Sequence, residues 1–359
     1  MLKKTFGSMK KARTQFIVLF IAIIYVGLLF YWEHKSANFP EKPFEILQVP
    51  ETIENKATKV SVGLFINNFP TFSFNKNKFS MHAYVWFKYD SNKKDILSEL
   101  KEFDFEYGDI NYKSPPLIKQ FNEKETLAIF QVKAILRFPH LNHKGFPIGD
   151  HRLNIILDNK AITDMDIYFS TDENNFELSD DTMLAKWRSI KTSITSGYLK
   201  PTLKIDQHST QIDYPCVVFT IDLEHTSIRD VITLYFPMFV IFFISLFSLL
   251  ISIKEYLTRL SLIASTVPIL VLFRTVILSI TPPMGDFTKA DYIYFLLVFC
   301  SLIILCFQAY LAFVMKKINT YTDKEKNSTM IFLEGMNYLL VYGTILFLVL
   351  ALTYDAFFG

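Results

Sequence analysis

Apolar residues follow two patterns along the 359-residue chain. Near the start and again beyond residue 230 they form long uninterrupted runs, whereas from about residue 38 to 228 they come in short runs broken by polar residues. The long runs are approximately Phe16–Trp32, Val231–Ile253, Leu260–Ile280, Ile293–Met315 and Met336–Thr353. Each approaches the roughly 20 apolar residues a helix needs to cross a bilayer. The short runs are Val60–Asn67, Phe79–Tyr89, Phe103–Tyr107, Thr126–Phe138, His151–Leu157, Asp166–Phe169 and Ile212–Leu223, rich in Val, Ile, Phe, Tyr and Thr and separated by Asn, Asp, Gly, Pro and Lys. That spacing predicts an antiparallel β-sandwich. Within Met81–Tyr89, Met81, Ala83, Val85 and Phe87 alternate with His82, Tyr84, Trp86 and Lys88, as in a strand with two unlike faces. Three parts follow: residues 1–37, a basic end and a membrane anchor helix; 38–228, a β-sandwich; and 229–359, four transmembrane helices.

The third long run carries polar residues at helical spacing. Ser261, Ser265, Pro268, Leu272, Thr275 and Ser279 are separated by four, three, four, three and four residues, which keeps them on one helix face. Side-chain hydroxyls in hydrocarbon need water or a partner. Copies of this helix around a water-filled pore would supply the water. A packing face of small residues between helices is the alternative reading.

Lys3, Lys4, Lys10, Lys11 and Arg13 precede the first run with no acidic residue among them. The positive-inside rule keeps that end in the cytoplasm and the sandwich outside. Lys254–Arg259 and Lys316–Thr329 then fall inside, and Thr281–Asp291 and the tail after Tyr354 fall outside. The first run is longer than a signal-peptide core and ends in Tyr31-Trp32, which favours a retained anchor over cleavage near Lys35-Ser36-Ala37.

A chain 51% hydrophobic with 36 Phe is a mixed lipid and water protein. A net charge of +2 gives nucleic-acid binding no electrostatic support. Of the three cysteines only Cys216 lies in the polar region, which rules out an internal disulfide there. There is no zinc spacing, Walker loop, nucleophile elbow or dinucleotide fingerprint, so no enzyme, cofactor or metal centre is expected. Asp172–Asp181 reads as a solvated acidic loop.

Several stretches resemble the pentameric ligand-gated ion channels, the Cys-loop receptor superfamily, and particularly its prokaryotic members. Val62-Gly63-Leu64-Phe65-Ile66 and Ala83-Tyr84-Val85-Trp86-Phe87-Lys88-Tyr89-Asp90 resemble the family's first two strands. Phe146-Pro147-Ile148-Gly149-Asp150-His151-Arg152-Leu153-Asn154-Ile155 resembles its signature loop, with Gly149 where an Asp is expected and Asp150 shifted by one. The family's loop-closing cysteine pair would fall near Pro139 and Leu153, so the resemblance implies no disulfide here, as is common in prokaryotic members. Pro237 in the first helix of the four, Arg259-Leu260-Ser261 at the start of the second and Thr281-Pro282-Pro283 after it also match. The resemblance covers about Val60 to Tyr354.

It implies a homopentamer in an inner membrane, gated by a small molecule or protons and conducting small ions through a pore lined by residues 259–280. The pore-lining residues would be Ser261, Ser265, Pro268, Leu272, Thr275, Val276 and Ser279, with Leu272 as the apolar constriction. A kink is expected at Pro268. Glu255 would concentrate cations, and Arg259, if it faced the pore, anions; the balance leans to cations. Arg274 points behind the pore and needs a partner, for which Asp286, Asp291 and Asp230 are the candidates. Trp86 and Tyr89 on one side, and Tyr168, Trp187, Tyr198 and Tyr214 on the other, would line the agonist site. Phe146, Pro147, Asp150, His151, Pro282 and Pro283 would couple the sandwich to the pore. His140, His143 and His151 beside the loop could respond to protons. The rival reading is a non-conducting membrane sensor or assembly protein whose sandwich binds a partner.

Overall fold

A computed structural model describes residues 12–35, 41–49, 57–92, 96–122, 124–139, 141–162, 166–180, 182, 184, 186–199, 202–205, 208–211, 213–281 and 286–358. Its contacts divide the chain into two compact units: Met1–Ala37, Lys144–Ile148 and Ile228–Gly359 in one, Asn38–His143 and Gly149–Ser227 in the other. Sheets occupy the N-terminal half and apolar, membrane-length helices the C-terminal half.

In the sheet unit, β1 (Thr58–Ser73) pairs antiparallel with β2 (Lys78–Asp90), and β2 with β6 (Glu125–Arg137). The short strands β4 (Gly108–Lys113) and β5 (Leu117–Gln120) both pair with β6. Contrary to a wholly antiparallel expectation, β8 (Ile167–Ser170) and β9 (Phe176–Leu178) lie parallel to β1. A four-stranded sheet follows the order β10-β13-β7-β3, from Trp187–Leu199, Tyr214–His225, His151–Asp158 and Asp104–Phe105. β11 (Thr202–Ile205) and β12 (His208–Gln211) form a separate hairpin. One five-residue helix, α2 (Ile96–Leu100), precedes β3.

Period-two alternation drives this packing. In β2, Phe79, Met81, Ala83, Val85, Phe87 and Tyr89 are buried while their neighbours are not. They join inward residues of the other sheet, including Leu153, Ile155, Leu157, Val217, Phe219 and Ile221, in one apolar cluster. The opposite face of the four-stranded sheet is also covered: Ile156, Cys216 and Val218 pack under Phe44 and Ile46. This double burial accounts for the unbroken apolar stretches Ile155–Leu157 in β7 and Pro215–Phe219 in β13. Leu47 forms a bridge to Tyr198, its amide 3.1 Å from the Tyr198 carbonyl. A side chain at the neighbouring Gly197 would meet the Leu47 carbonyl at 2.2 Å, so this strap requires glycine there.

Among the described residues five helices are long and apolar enough to cross a membrane: α1 (Ala12–Lys35), α3 (Ile228–Phe247), α4 (Tyr256–Ile280), α5 (Lys289–Lys317) and α6 (Asp323–Phe358). α3 stops earlier than its apolar run, which continues to Ile253, because the chain turns at 248–252, with Leu249 and Leu250 amides bonding three residues back. α6 begins thirteen residues before Met336, its charged first turns extending the apolar run. α5 is capped by Thr288, whose hydroxyl and amide both engage the Asp291 carboxylate, at 2.9 and 2.8 Å. α1 packs on two helices: Phe30 stacks on Tyr235 of α3, Trp32 stacks on Phe357 of α6, and Tyr25 Oη lies 3.1 Å from Thr353 Oγ1. The Lys289 ammonium pairs with Glu33 of α1 and, at 2.8 Å, with Asp355 of α6.

Candidate functional site

α4 has two unlike sides. Ile263, Thr266, Val267, Leu270 and Ile277 are buried against its neighbours. Ser261, Ser265, Pro268, Leu272, Thr275, Val276 and Ser279 are all exposed, Leu272 by 67%. Apolar residues flank the hydroxyls on both sides of this face: Ile269 and Val276 on one edge, Val271 and Leu278 on the other, each at least 39% exposed. The helix continues through Pro268 without a break.

Every hydroxyl of the stripe donates to its own helix three residues back. Ser265 reaches the Leu262 carbonyl at 2.8 Å, Thr275 that of Leu272 at 2.8 Å and Ser279 that of Val276 at 2.7 Å; Ser261 is longer, 3.5 Å from Thr258. The donors are therefore satisfied without water, so desolvation alone does not exclude lipid from this face. What singles it out is a polar centre between apolar edges.

The charged residues of α4 separate cleanly. Glu255 lies exposed in the turn just before the helix. Arg259 does not face the stripe: it is fully buried, bonded to Asn337 of α6, which in turn donates to the Leu249 carbonyl at 3.0 Å. Its place in a charge filter on the exposed face is thereby corrected, since about 200° of helical rotation separates it from Ser261. Arg274 pairs with Asp291 of α5, and its guanidinium sits 5.6 and 5.3 Å from the Tyr294 and Phe295 rings. Of the other two candidates, Asp286 lies 3.7 Å from Lys144 instead.

The six candidate agonist aromatics do not converge within one chain. Tyr89 is buried in the core of the sheet unit. Trp86, half-buried, lies over Gly63, where an added Cβ would stand 2.2 Å from the indole. Tyr198 is buried near Tyr168 and donates to the Ile167 carbonyl at 3.2 Å; burial, with Asp213 and Tyr168 nearby, pushes its hydroxyl up to about 12. Tyr214, half-buried, pairs with Leu199. Trp187 sits at the opposite end of β10 from Tyr198, its ring 4.2 Å from Phe74 and 4.7 Å from His225. The antiparallel register of β10 with β13 brings Tyr198 and Tyr214 to one end, beside Ile167 and Tyr168, and leaves Trp187 at the other.

The signature-like loop is divided. Phe146 and Pro147, joined by a cis peptide bond, belong to the helical unit, where the Phe146 carbonyl accepts from the Ala290 amide at 3.2 Å and Ile148 is buried among α3 and α5 side chains. Asp150 and His151 belong to the sheet unit, where Asp150 accepts from the His225 amide at 3.0 Å. Pro282, Pro283 and His140 lie outside the described residues. His143 is buried, its Nε2 2.8 Å from Asn77 Oδ1; burial and neighbouring His151 push its pKa down to about 4.

Two groups had no sequence signal. Glu41 receives the Asn142 and Arg152 amides at 3.0 Å each and the His151 Nδ1 at 2.7 Å. Asp158, fully buried, is pushed up to about 7 by burial and by hydrogen bonding to Glu106, against the pull of Lys160, whose ammonium lies 2.8 Å from Glu106 and 3.4 Å from Asp158. Among the described residues no cluster of His, Cys, Asp and Glu is arranged to hold a metal ion. Compared with known proteins, the chain matches no protein-family model and no curated protein.

Proposed function

We propose that this chain is one subunit of a pentameric ligand-gated ion channel, with a β-sandwich outside an inner membrane, a four-helix bundle formed by α3–α6 within it, and α1 as an additional anchor. The supporting observation is the exposed face of α4, polar along its centre and apolar along both edges. A helix that meets identical neighbours on either side, and water between them, needs that distribution. Five copies would place rings of Ser261, Ser265, Thr275 and Ser279 around the axis, with Leu272 as the ring that closes the path by dewetting. With Arg259 withdrawn into each subunit, the exposed charges in the turn before α4 are Lys254 and Glu255, and a ring of Glu255 carboxylates at the entrance would favour cations. The agonist is a small molecule or the proton, acting by binding the open and closed states unequally. Purified protein imaged in detergent is expected to show five subunits around an axis, and proteoliposomes are expected to pass cations down a gradient. A monomeric particle, or vesicles that stay tight, would remove this reading.

One observation favours a second reading. The self-bonded hydroxyls tolerate a dry contact, as in a membrane-anchored sensor or assembly protein that conducts nothing. The same flux measurement separates the two.

A further inference from the structure

A single carboxylate holds both roots of the signature-like loop. The loop leaves β6 at Arg137 and returns to β7 at His151. On its near side the Asn142 amide donates to Glu41 Oε1, and on its far side the Arg152 amide donates to Glu41 Oε2, both at 3.0 Å. The His151 Nδ1 lies 2.7 Å from the same Oε1. Glu41 stands 110 residues before His151 in the chain and is buried with it. Nothing covalent does this work, because Cys216, Cys300 and Cys306 are all free and none lies in the loop.

Between those roots, residues 144–148 belong to the helical unit, where the Phe146 carbonyl takes the Ala290 amide at the first turn of α5 and Ile148 is buried. We infer that Glu41 is a positioning residue: it clasps the two ends of the signature-like loop within the sheet unit. Two acceptor oxygens on one rigid group set the separation of residues 142 and 152. The flanking ionisable groups are His143 and His151 themselves, His225, Asp150 and the Arg152–Asp222 pair, and the rings of Phe74 and Trp187 close the remaining sides. The clasp does not rest on the channel reading.

The test is hydrogen exchange by mass spectrometry on the full-length protein in detergent, comparing wild type, Glu41→Gln and Glu41→Asp. Glutamine keeps the size but replaces one acceptor oxygen with a donor, whereas aspartate keeps both acceptors on a shorter stem. Peptides spanning 141–153 are expected to exchange about tenfold faster in Glu41→Gln. Glu41→Asp should stay nearer to wild type. Unchanged exchange in Glu41→Gln overturns the clasp, as does an aspartate variant worse than the glutamine one. Ion flux read in parallel from wild-type proteoliposomes judges the channel reading separately: its absence leaves the exchange comparison standing.

Discussion

Asp158 and His143 are ionisable groups displaced in opposite directions by the same cause. Burial and Glu106 hold the Asp158 carboxyl up at about 7, so between about pH 4 and 7 the folded protein binds a proton that the unfolded chain releases. Its stabilising contribution is complete at the acid end of that window and is lost as pH rises through it. Asp158→Asn, which needs no proton, should therefore raise the melting temperature at pH 8 by a few degrees and change it little near pH 4, as thermal scans in detergent would read. His143, held at about 4, works the other way and costs stability as pH falls from about 6.5. On the channel reading, Leu272→Ser in α4 should increase agonist-free flux by about tenfold, since weakening an apolar constriction by about 1.4 kcal/mol shifts a closed–open balance that far. At this scale legibility followed local periodicity. Ser261 to Ser279 stood out because a 3.6-residue repeat is visible in any short window. Glu41 did not, because its partners are Asn142, His151 and Arg152 and no spacing announces contacts so distant in sequence.

Arg274 and Asp291 join α4 to the first turn of α5, and the same carboxylate holds the Thr288 cap, so a single pair supports two helices. Truncating the cation strands a nearly buried carboxylate. Arg274→Leu is expected to cost about 2 kcal/mol, less than a fully buried pair because the arginine keeps some solvent. A lowered melting temperature that Asp291→Asn partly restores in the double variant would show it. Elements were read well where both faces differ, as in β2, and poorly where one face is open. β10 escaped because Trp187, Ile190, Ile194 and Tyr198 are widely spaced among Arg, Lys, Ser and Thr on a strand that is mostly exposed. The end of α3 was placed too late because Leu249 and Leu250, apolar and still packed, belong to a turn. The parallel pairing of β8 and β9 with β1 depends on tertiary contacts that no turn residue signals.

Over the whole molecule, the channel reading makes the Glu255 carboxylates a shared field. Such a field decays over about 8 Å at physiological ionic strength. The reversal potential of Glu255→Gln in a cation gradient should therefore move toward zero, most strongly in dilute salt, and a variant matching wild type at every salt concentration would exclude Glu255 from ion selection. The division into a sheet part and a membrane part was legible because alternation and long apolar runs obey different solvents; the split of the signature-like loop between the two units was not, since nothing in Phe146-Pro147-Ile148 distinguishes the two. The junction of Lys289 with Glu33 and Asp355 carries a practical consequence. Replacing the first helix with a foreign secretion leader would strip one of two counter-charges from a nearly buried ammonium and uncover the buried ring of Tyr235. Recombinant versions that keep residues 12–35 should survive extraction from the membrane better than those that begin after them.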